Sequence, residues 1–310
     1  MHIKKLVING CLFLAMVVAV YFAFMFVLVK VKVGNNSLVY RTSDVLSWKG
    51  GNSYRKFVDF DMQHPYDVIV IGSSHAYRGY DPRIFKTSGR ELFNLGTSGQ
   101  SVYNSYFIAK NYIKATNCKL VILELYDGAL SSDAIEPSSD LIENINSDKA
   151  AFEMAVSLKD PRTLNMFSVR LLNKSAAPMY EDSAYVYNGF SERLDSVKKV
   201  EKDWCNARPK VSPLQVNYLN KILSYFKSNN IQVVLVSHPA PKELNNGNHQ
   251  KFIPIIDEIS KKYDVPYFDY SYSHNLELRY DFYDGHHLNQ SGVEKFNKMV
   301  IQDLSRMHYF

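Results

Sequence analysis

Three segments of this 310-residue chain bring together side chains that can move protons and attack carbonyl carbon. Gly72-Ser73-Ser74-His75 follows a β-branched run. Gly96-Thr97-Ser98-Gly99-Gln100 follows a second, shorter one. Asp284-Gly285-His286-His287-Leu288-Asn289 lies near the C-terminus. Hydroxyl, imidazole, carboxylate and glycine turns together form the inventory of nucleophilic acyl transfer. A serine hydroxyl is a weak nucleophile and needs a base. Histidine suits, because its proton affinity lies near neutral pH. A carboxylate must then fix the imidazole tautomer and stabilise the imidazolium, and backbone N–H groups at a glycine turn can hold the developing oxyanion. Asp284 and His287 are three apart, so one helical turn would put both on one face. That spacing favours His287 over His286 as base, and Ser73 stands as a rival to Ser74.

These segments need elements to position them, and the pattern between them is β-α repeating. Tyr66–Ile71 is a buried-strand run. Further strands are predicted over Glu91–Leu95, Leu120–Leu125, Ile231–Val236 and Val265–Asp269. Helices are predicted over Val102–Lys114, from Ser212-Pro213 to about Ser228 (Ser as N-cap, Pro in the first turn), over Ile253–Tyr263 and over Gln290–Met307. Alternation of this kind implies an α/β fold, a flavodoxin-like three-layer α/β/α sandwich around a five-stranded parallel sheet. Ligands bind beyond the carboxyl ends of such strands. His75, Asp127, His238 and His286 therefore fall at the same edge as candidate pocket residues, together with Ser73. His75 is placed as a wall beside the nucleophile, Asp127 as a residue that orients a loop, and His238 as a pocket or structural residue. Residues 129–210 break the rhythm; they are polar and rich in Ser and Asn, and read as a mostly helical insertion above the sheet.

Leu6 to Val29 is apolar except for Asn9 and Gly10, and is long enough as a helix to cross a hydrocarbon core of about 30 Å. A cleaved signal peptide has a shorter apolar core and a small-residue cleavage site; here the stretch ends in Phe24-Met25-Phe26-Val27-Leu28-Val29. The expected organisation is an uncleaved anchor over 1–32, a connecting segment over 33–62 and a catalytic domain over 63–310. Lys4 and Lys5 balance Lys30 and Lys32 across the span, so the charge rule is a tie. The short N-terminal tail favours a domain outside the cytoplasmic membrane, held to it by a single pass through residues 6–29.

The net charge of +5 is concentrated in that anchor. Residues 1–32 hold four lysines and no acids, which leaves 32 basic against 31 acidic residues. A nucleic-acid partner would need a basic stripe on the domain, so none is expected. Cys11 lies in the anchor. Cys118 and Cys205 define no disulfide framework and fit no metal spacing, and are read as two structural thiols. No metal is expected at His286 and His287, because adjacent histidines rarely turn to one ion and no further ligand is suggested by spacing. No cofactor is expected either: Gly96-Thr97-Ser98-Gly99 resembles half a phosphate loop but no Gly-Lys-Ser/Thr follows.

Three blocks resemble those of SGNH/GDSL hydrolases, in the same order. They are Val68-Ile69-Val70-Ile71-Gly72-Ser73-Ser74-His75, Phe93-Asn94-Leu95-Gly96-Thr97-Ser98-Gly99-Gln100-Ser101, and Asp284-Gly285-His286-His287-Leu288-Asn289 with Gly292. The resemblance covers about 64–128 and 230–306. It implies Ser74 as nucleophile, the N–H groups of Ser74 and Gly99 as oxyanion donors, His287 as base and Asp284 as its orienting carboxylate. One block departs: where the family has Gly-x-Asn-Asp, this chain has Glu124-Leu125-Tyr126-Asp127, so the asparagine oxyanion donor is missing. The architecture is similar to anchored extracytoplasmic members, the D-alanine-transfer and alginate-acetylation proteins. That likeness implies an envelope polysaccharide or other acylated glycan as substrate and a multi-spanning membrane O-acyltransferase as partner. A weakened glycan-binding or scaffold subunit of such a complex is the alternative.

Overall fold

The strand-and-helix rhythm of the sequence becomes a five-stranded parallel sheet. The structure is a computed structural model describing residues 2–34, 36–174, 176–198, 210–245 and 247–310. The strands are β1 (Tyr66–Ile71), β2 (Leu92–Asn94), β3 (Cys118–Glu124), β4 (Gln232–Ser237) and β5 (Tyr267–Asp269), in the order β2-β1-β3-β4-β5. Every neighbouring pair is parallel. This is the doubly wound order of flavodoxin-like proteins, whose switch point lies between β1 and β3. The expected fold class and sheet are therefore present.

The helices used below are α1 (His2–Lys30), α2 (Gly51–Asp59), α3 (Ser74–Gly79), α4 (Val102–Tyr112), α5 (Ile135–Asn144), α6 (Asp148–Ser157), α7 (Pro161–Leu172), α8 (Pro213–Ser228), α9 (Ile253–Tyr263) and α10 (Gln290–Arg306). Alternate residues of a strand face opposite sides, and here both sides are covered. Ile69, Ile71, Val121, Leu123 and Leu235 pack under α4, α8 and α9. Val68, Val70, Ile122, Val234 and Val236 pack under α10 and a short helix at Pro82–Thr87. Each such side chain contributes about 1.5–3 kcal/mol by leaving water, which is why the inner strands read as continuous β-branched runs.

Residues 33–62 carry α2, whose Lys56 and Phe57 are fully buried. The Lys56 ammonium donates to the Gly96 carbonyl and lies 4.8 Å from the Tyr77 ring centre. Within 129–210, α5, α6 and α7 pack on one another, with α6 against α4 and α5 against α2. A hairpin follows (Tyr185–Tyr187 with Phe190–Ser191), and its second strand packs on α3. Cys205 lies outside the described residues; Cys118 is a buried free thiol.

Among the described residues, α1 is the helix long and apolar enough to cross a membrane. It leaves most of its side chains exposed. Its C-terminal third touches the domain, where Tyr21 Oη donates to Asn165 Oδ1 at 2.8 Å and Lys30 Nζ to the Leu172 carbonyl at 3.3 Å.

Candidate active site

The carboxyl end of β1 turns sharply at Gly72. Its φ is +153°, and a Cβ there would lie 2.6 Å from Glu124 Cβ and Oε2, so only glycine lets β1 and β3 approach this closely. Ser73 and Ser74 then take different jobs. Ser73 is fully buried: its Oγ donates to Glu124 Oε2 at 3.0 Å and accepts from the His75 N–H at 3.2 Å, capping α3. Ser74, the first residue of α3, is partly exposed, with its Oγ 2.7 Å from His287 Nε2.

His287 Nδ1 lies 2.8 Å from Asp284 Oδ2. The other Asp284 oxygen accepts the N–H groups of His286 and His287 at 2.9 and 2.8 Å. The expected helical turn is absent. Asp284 to His287 form a bend closed by a Phe282–Leu288 bridge, and the carboxylate meets its histidine by folding back onto the backbone of the same turn. Asn289 ends this loop as the N-cap of α10, accepting from the Gly292 N–H at 3.1 Å. A Cβ on Gly292 would sit 2.1 Å from the Asp281 carbonyl. The Asn and Gly of this segment thus dock the loop rather than act in it.

Charge follows geometry. Burial works against the Asp284 carboxylate, but the His287 hydrogen bond, the charges of the His287 and His286 imidazoles and the His286 backbone N–H outweigh it and hold its pKa far below the usual range. Burial pushes His287 down to about 4 against the pull of Asp284. The imidazole is therefore neutral at pH 7, its Nδ1–H held by the carboxylate and its Nε2 lone pair turned to Ser74.

The predicted neighbours fall into two groups. His75 is buried, stacked on His287 with ring centres 4.8 Å apart, with Nδ1 3.1 Å from Ser73 Oγ and Nε2 3.2 Å from His286 Nδ1. Burial, then the neighbouring imidazoles, lower its pKa well below the ordinary value. His286 does not reach Ser74; its ring pairs with His75. His238 is buried, its Nδ1 2.7 Å from the Pro239 carbonyl, and burial lowers it to about 3. Asp127 sits one loop away, 2.7 Å from His249 Nδ1.

His249 escaped the sequence reading because no motif marks it; it lies in the long loop between β4 and α9. Burial opposes its charge, yet Asp127 and Asp269 raise it to about 9, so it is an imidazolium that ties the ends of β3 and β5 together. Tyr283 also went unread. Its ring lies parallel to His287 at 5.4 Å, and the Arg78 and Arg193 guanidinium carbons stand 5.1 and 5.6 Å from its centre. His75, His238, His249, His286, Asp127 and Tyr126 are among the residues lining a cavity of about 100 Å³ beside the triad.

Glu124 stands where the asparagine donor was expected. Its carboxylate takes the Ser73 N–H and hydroxyl, both at 3.0 Å, and burial raises its pKa to about 7. Ionised it is an acceptor only, and its Oε2 is taken up by Ser73 rather than presenting an N–H donor as the expected asparagine would. Gly99 is exposed at φ +59° in the turn after β2. Among the described residues, neither its N–H nor that of Ser74 has an acceptor. Pro137 of α5 approaches the same turn; its Cβ lies 3.9 Å from where a Gly99 Cβ would be.

Fold and site together describe a doubly wound α/β protein with a Ser–His–Asp chain at the carboxyl edge of its sheet. No family profile matches the chain, and no curated protein sequence does. Solved structures similar to it include an acetyl xylan esterase (14% identity, 77% of this chain and 99% of that one, TM-score 0.44). A GDSL-like lipase from Bacteroides thetaiotaomicron matches at 14% identity over 83% of this chain and 98% of that one, TM-score 0.42. A lipase/acylhydrolase from Enterococcus faecalis matches at 12% over 78% and 96%, TM-score 0.40. Likeness at this level assigns no chemistry to the chain, which must be read from its own side chains.

Proposed function

We propose that the chain is a serine-dependent esterase or acyltransferase, anchored in the cell membrane through residues 6–29, acting on an acylated envelope glycan. The observation that carries this is the continuous chain from Ser74 Oγ to His287 Nε2 and from His287 Nδ1 to Asp284, at 2.7 and 2.8 Å. Ser74 Oγ attacks the acyl carbonyl, and its proton passes to His287 Nε2. The tetrahedral oxyanion is held by the Ser74 and Gly99 N–H groups. His287 then gives the proton to the departing alkoxide, leaving an acyl-Ser74 ester. Water or a sugar hydroxyl, deprotonated by the same imidazole, takes the acyl group in the reverse sequence.

A glycan is supported by a separate cavity of about 630 Å³ between α2 and the hairpin, whose lining includes none of Ser74, His287 and Asp284. Its lining includes Tyr54, Tyr180, Tyr185 and Tyr187 with Arg55, Asp59 and Asp182, flat rings for sugar faces beside groups that bind hydroxyls. An acetyl group fits the small cavity beside the triad. Loss of one oxyanion donor costs about 10²–10³ in rate for hydrolysis and transfer alike, which argues against rapid general esterase activity and for a specialised reaction beside a multi-spanning O-acyltransferase. The position of Glu124 also motivates the second reading, a weakened glycan-binding or scaffold subunit.

The test is fluorophosphonate labelling of the full chain in detergent. Labelling of the wild type that disappears in Ser74→Ala is expected; labelling that survives the substitution overturns the assignment. Glycan binding without turnover, indifferent to Ser74→Ala, would support the scaffold reading.

A further inference from the structure

The sequence gives no reason to expect a metal at His286 and His287, but folding adds a third ligand. His75 arrives from 211 residues away, and one nitrogen each from His75, His286 and His287 lies within 4.8 Å of the others. We propose that these three imidazoles form a chelating site for a borderline divalent transition-metal ion of the Zn²⁺ type, and that its occupancy shuts off Ser74. The binding claim rests on geometry alone; the shut-off rests on the proposed role of His287 as base.

Two of the three nitrogens are preset as ligands. Glu124 Oε2 accepts the Ser73 hydroxyl proton, so Ser73 Oγ accepts from His75 Nδ1–H, and the His75 Nε2 lone pair is left facing His286. Asp284 does the same to His287 directly, which leaves its Nε2 without a proton, its lone pair turned to Ser74. Carboxylates that fix ligand tautomers from behind are the outer shell that metal-binding histidines need. His286 is exposed, so its proton can reside on Nε2, freeing Nδ1. His75 Nε2 and His286 Nδ1 are 3.2 Å apart, close to the ~3.3 Å separation of two ligands at a tetrahedral angle on Zn–N bonds of ~2.0–2.1 Å. His287 must close the remaining gap by turning its Nε2 away from Ser74. The cavity lined by His75 and His286 leaves room for a water as fourth ligand. Three imidazoles with no carboxylate in the set suit Zn²⁺, Cu²⁺ or Ni²⁺ rather than Mg²⁺ or Ca²⁺.

The chemical consequence is direct. The ion takes the lone pair that would accept the Ser74 proton, so the hydroxyl stays protonated and does not attack. No bond of the protein is broken, and a chelator restores the base.

The experiment uses the full chain in detergent. Zn²⁺ affinity is measured by competition with a chromophoric chelator, and fluorophosphonate labelling rate is followed over the same Zn²⁺ range, with Mg²⁺ in parallel. Labelling is expected to slow by about 10² or more at saturation, the scale of a lost general base, to recover with EDTA, and to ignore Mg²⁺. His286→Ala should weaken Zn²⁺ binding by at least about 10-fold and shift the inhibition midpoint equally, each rate referred to that variant's own metal-free value. Zn²⁺ affinity unchanged in His286→Ala, or no binding at all, overturns the site. Zn²⁺ binding that depends on His286 in a chain that never labels would uphold the site and reject the catalytic reading.

Discussion

Asp284→Asn isolates the tautomer from the fold. In the native loop, Asp284 Oδ1 accepts two backbone N–H groups while Oδ2 faces His287 Nδ1. The two N–H donors will keep the amide oxygen of asparagine, because its NH₂ group cannot accept from them. The NH₂ group then falls against His287 Nδ1, which must become an acceptor. Its proton moves to Nε2, which now points a donor at Ser74, and the base is lost. The wrong-tautomer penalty, about 10⁴ in kcat where a Ser-His-Asp triad has been altered this way, corresponds to about 5.5 kcal/mol of barrier. Because the loop keeps its backbone hydrogen bonds, the thermal midpoint should shift little. The assay is the pseudo-first-order fluorophosphonate labelling rate at pH 7, with circular dichroism melting alongside. A variant that labels within about threefold of wild type would refute the assignment of Asp284 as the group that sets the tautomer.

Other outcomes follow from the same contacts. Ser73→Ala should keep labelling at Ser74 but lower stability by about 1–3 kcal/mol, because it leaves the buried Glu124 carboxylate short of a donor; denaturant melts check the size. The labelling rate should rise with pH through about 4 and stay level at neutrality, since His287 acts only when neutral and burial holds it at about 4; a midpoint near 6.5 would contradict that environment. Glu124, raised to about 7 by burial, binds its proton more tightly folded than unfolded. It therefore costs stability progressively as pH rises from the ordinary carboxylate range through about 7, and Glu124→Gln should flatten the melting profile over that window. The anchor reading predicts that the full chain stays in the membrane pellet through alkaline carbonate extraction; release into the supernatant would reject it.

Local pattern carried the frame. Tyr66–Ile71 and Ile253–Tyr263 have the expected bounds, because a buried β-branched run and an amphipathic helix write their periodicity into consecutive residues. The three-residue strands β2 and β5 came out shorter than expected, since strand ends depend on pairing with a neighbour rather than on local preference. Ser212 sits at the N-cap of α8 as anticipated, yet its hydroxyl makes no capping bond.

The β-α order, the apolar first helix and the residue types at the carboxyl edge are legible in the amino-acid order alone, because all are properties of neighbours along the chain. Folding in three dimensions settled which serine faces the base, that Asp284 reaches His287 through a bend rather than a helix, that Glu124 holds Ser73, and that His249 joins the same edge. Those contacts span from 3 to 213 residues, and their partners are chosen by where the sheet sets the loop ends in space. No periodicity along the chain encodes a hydrogen bond between loops that meet only after the strands have paired.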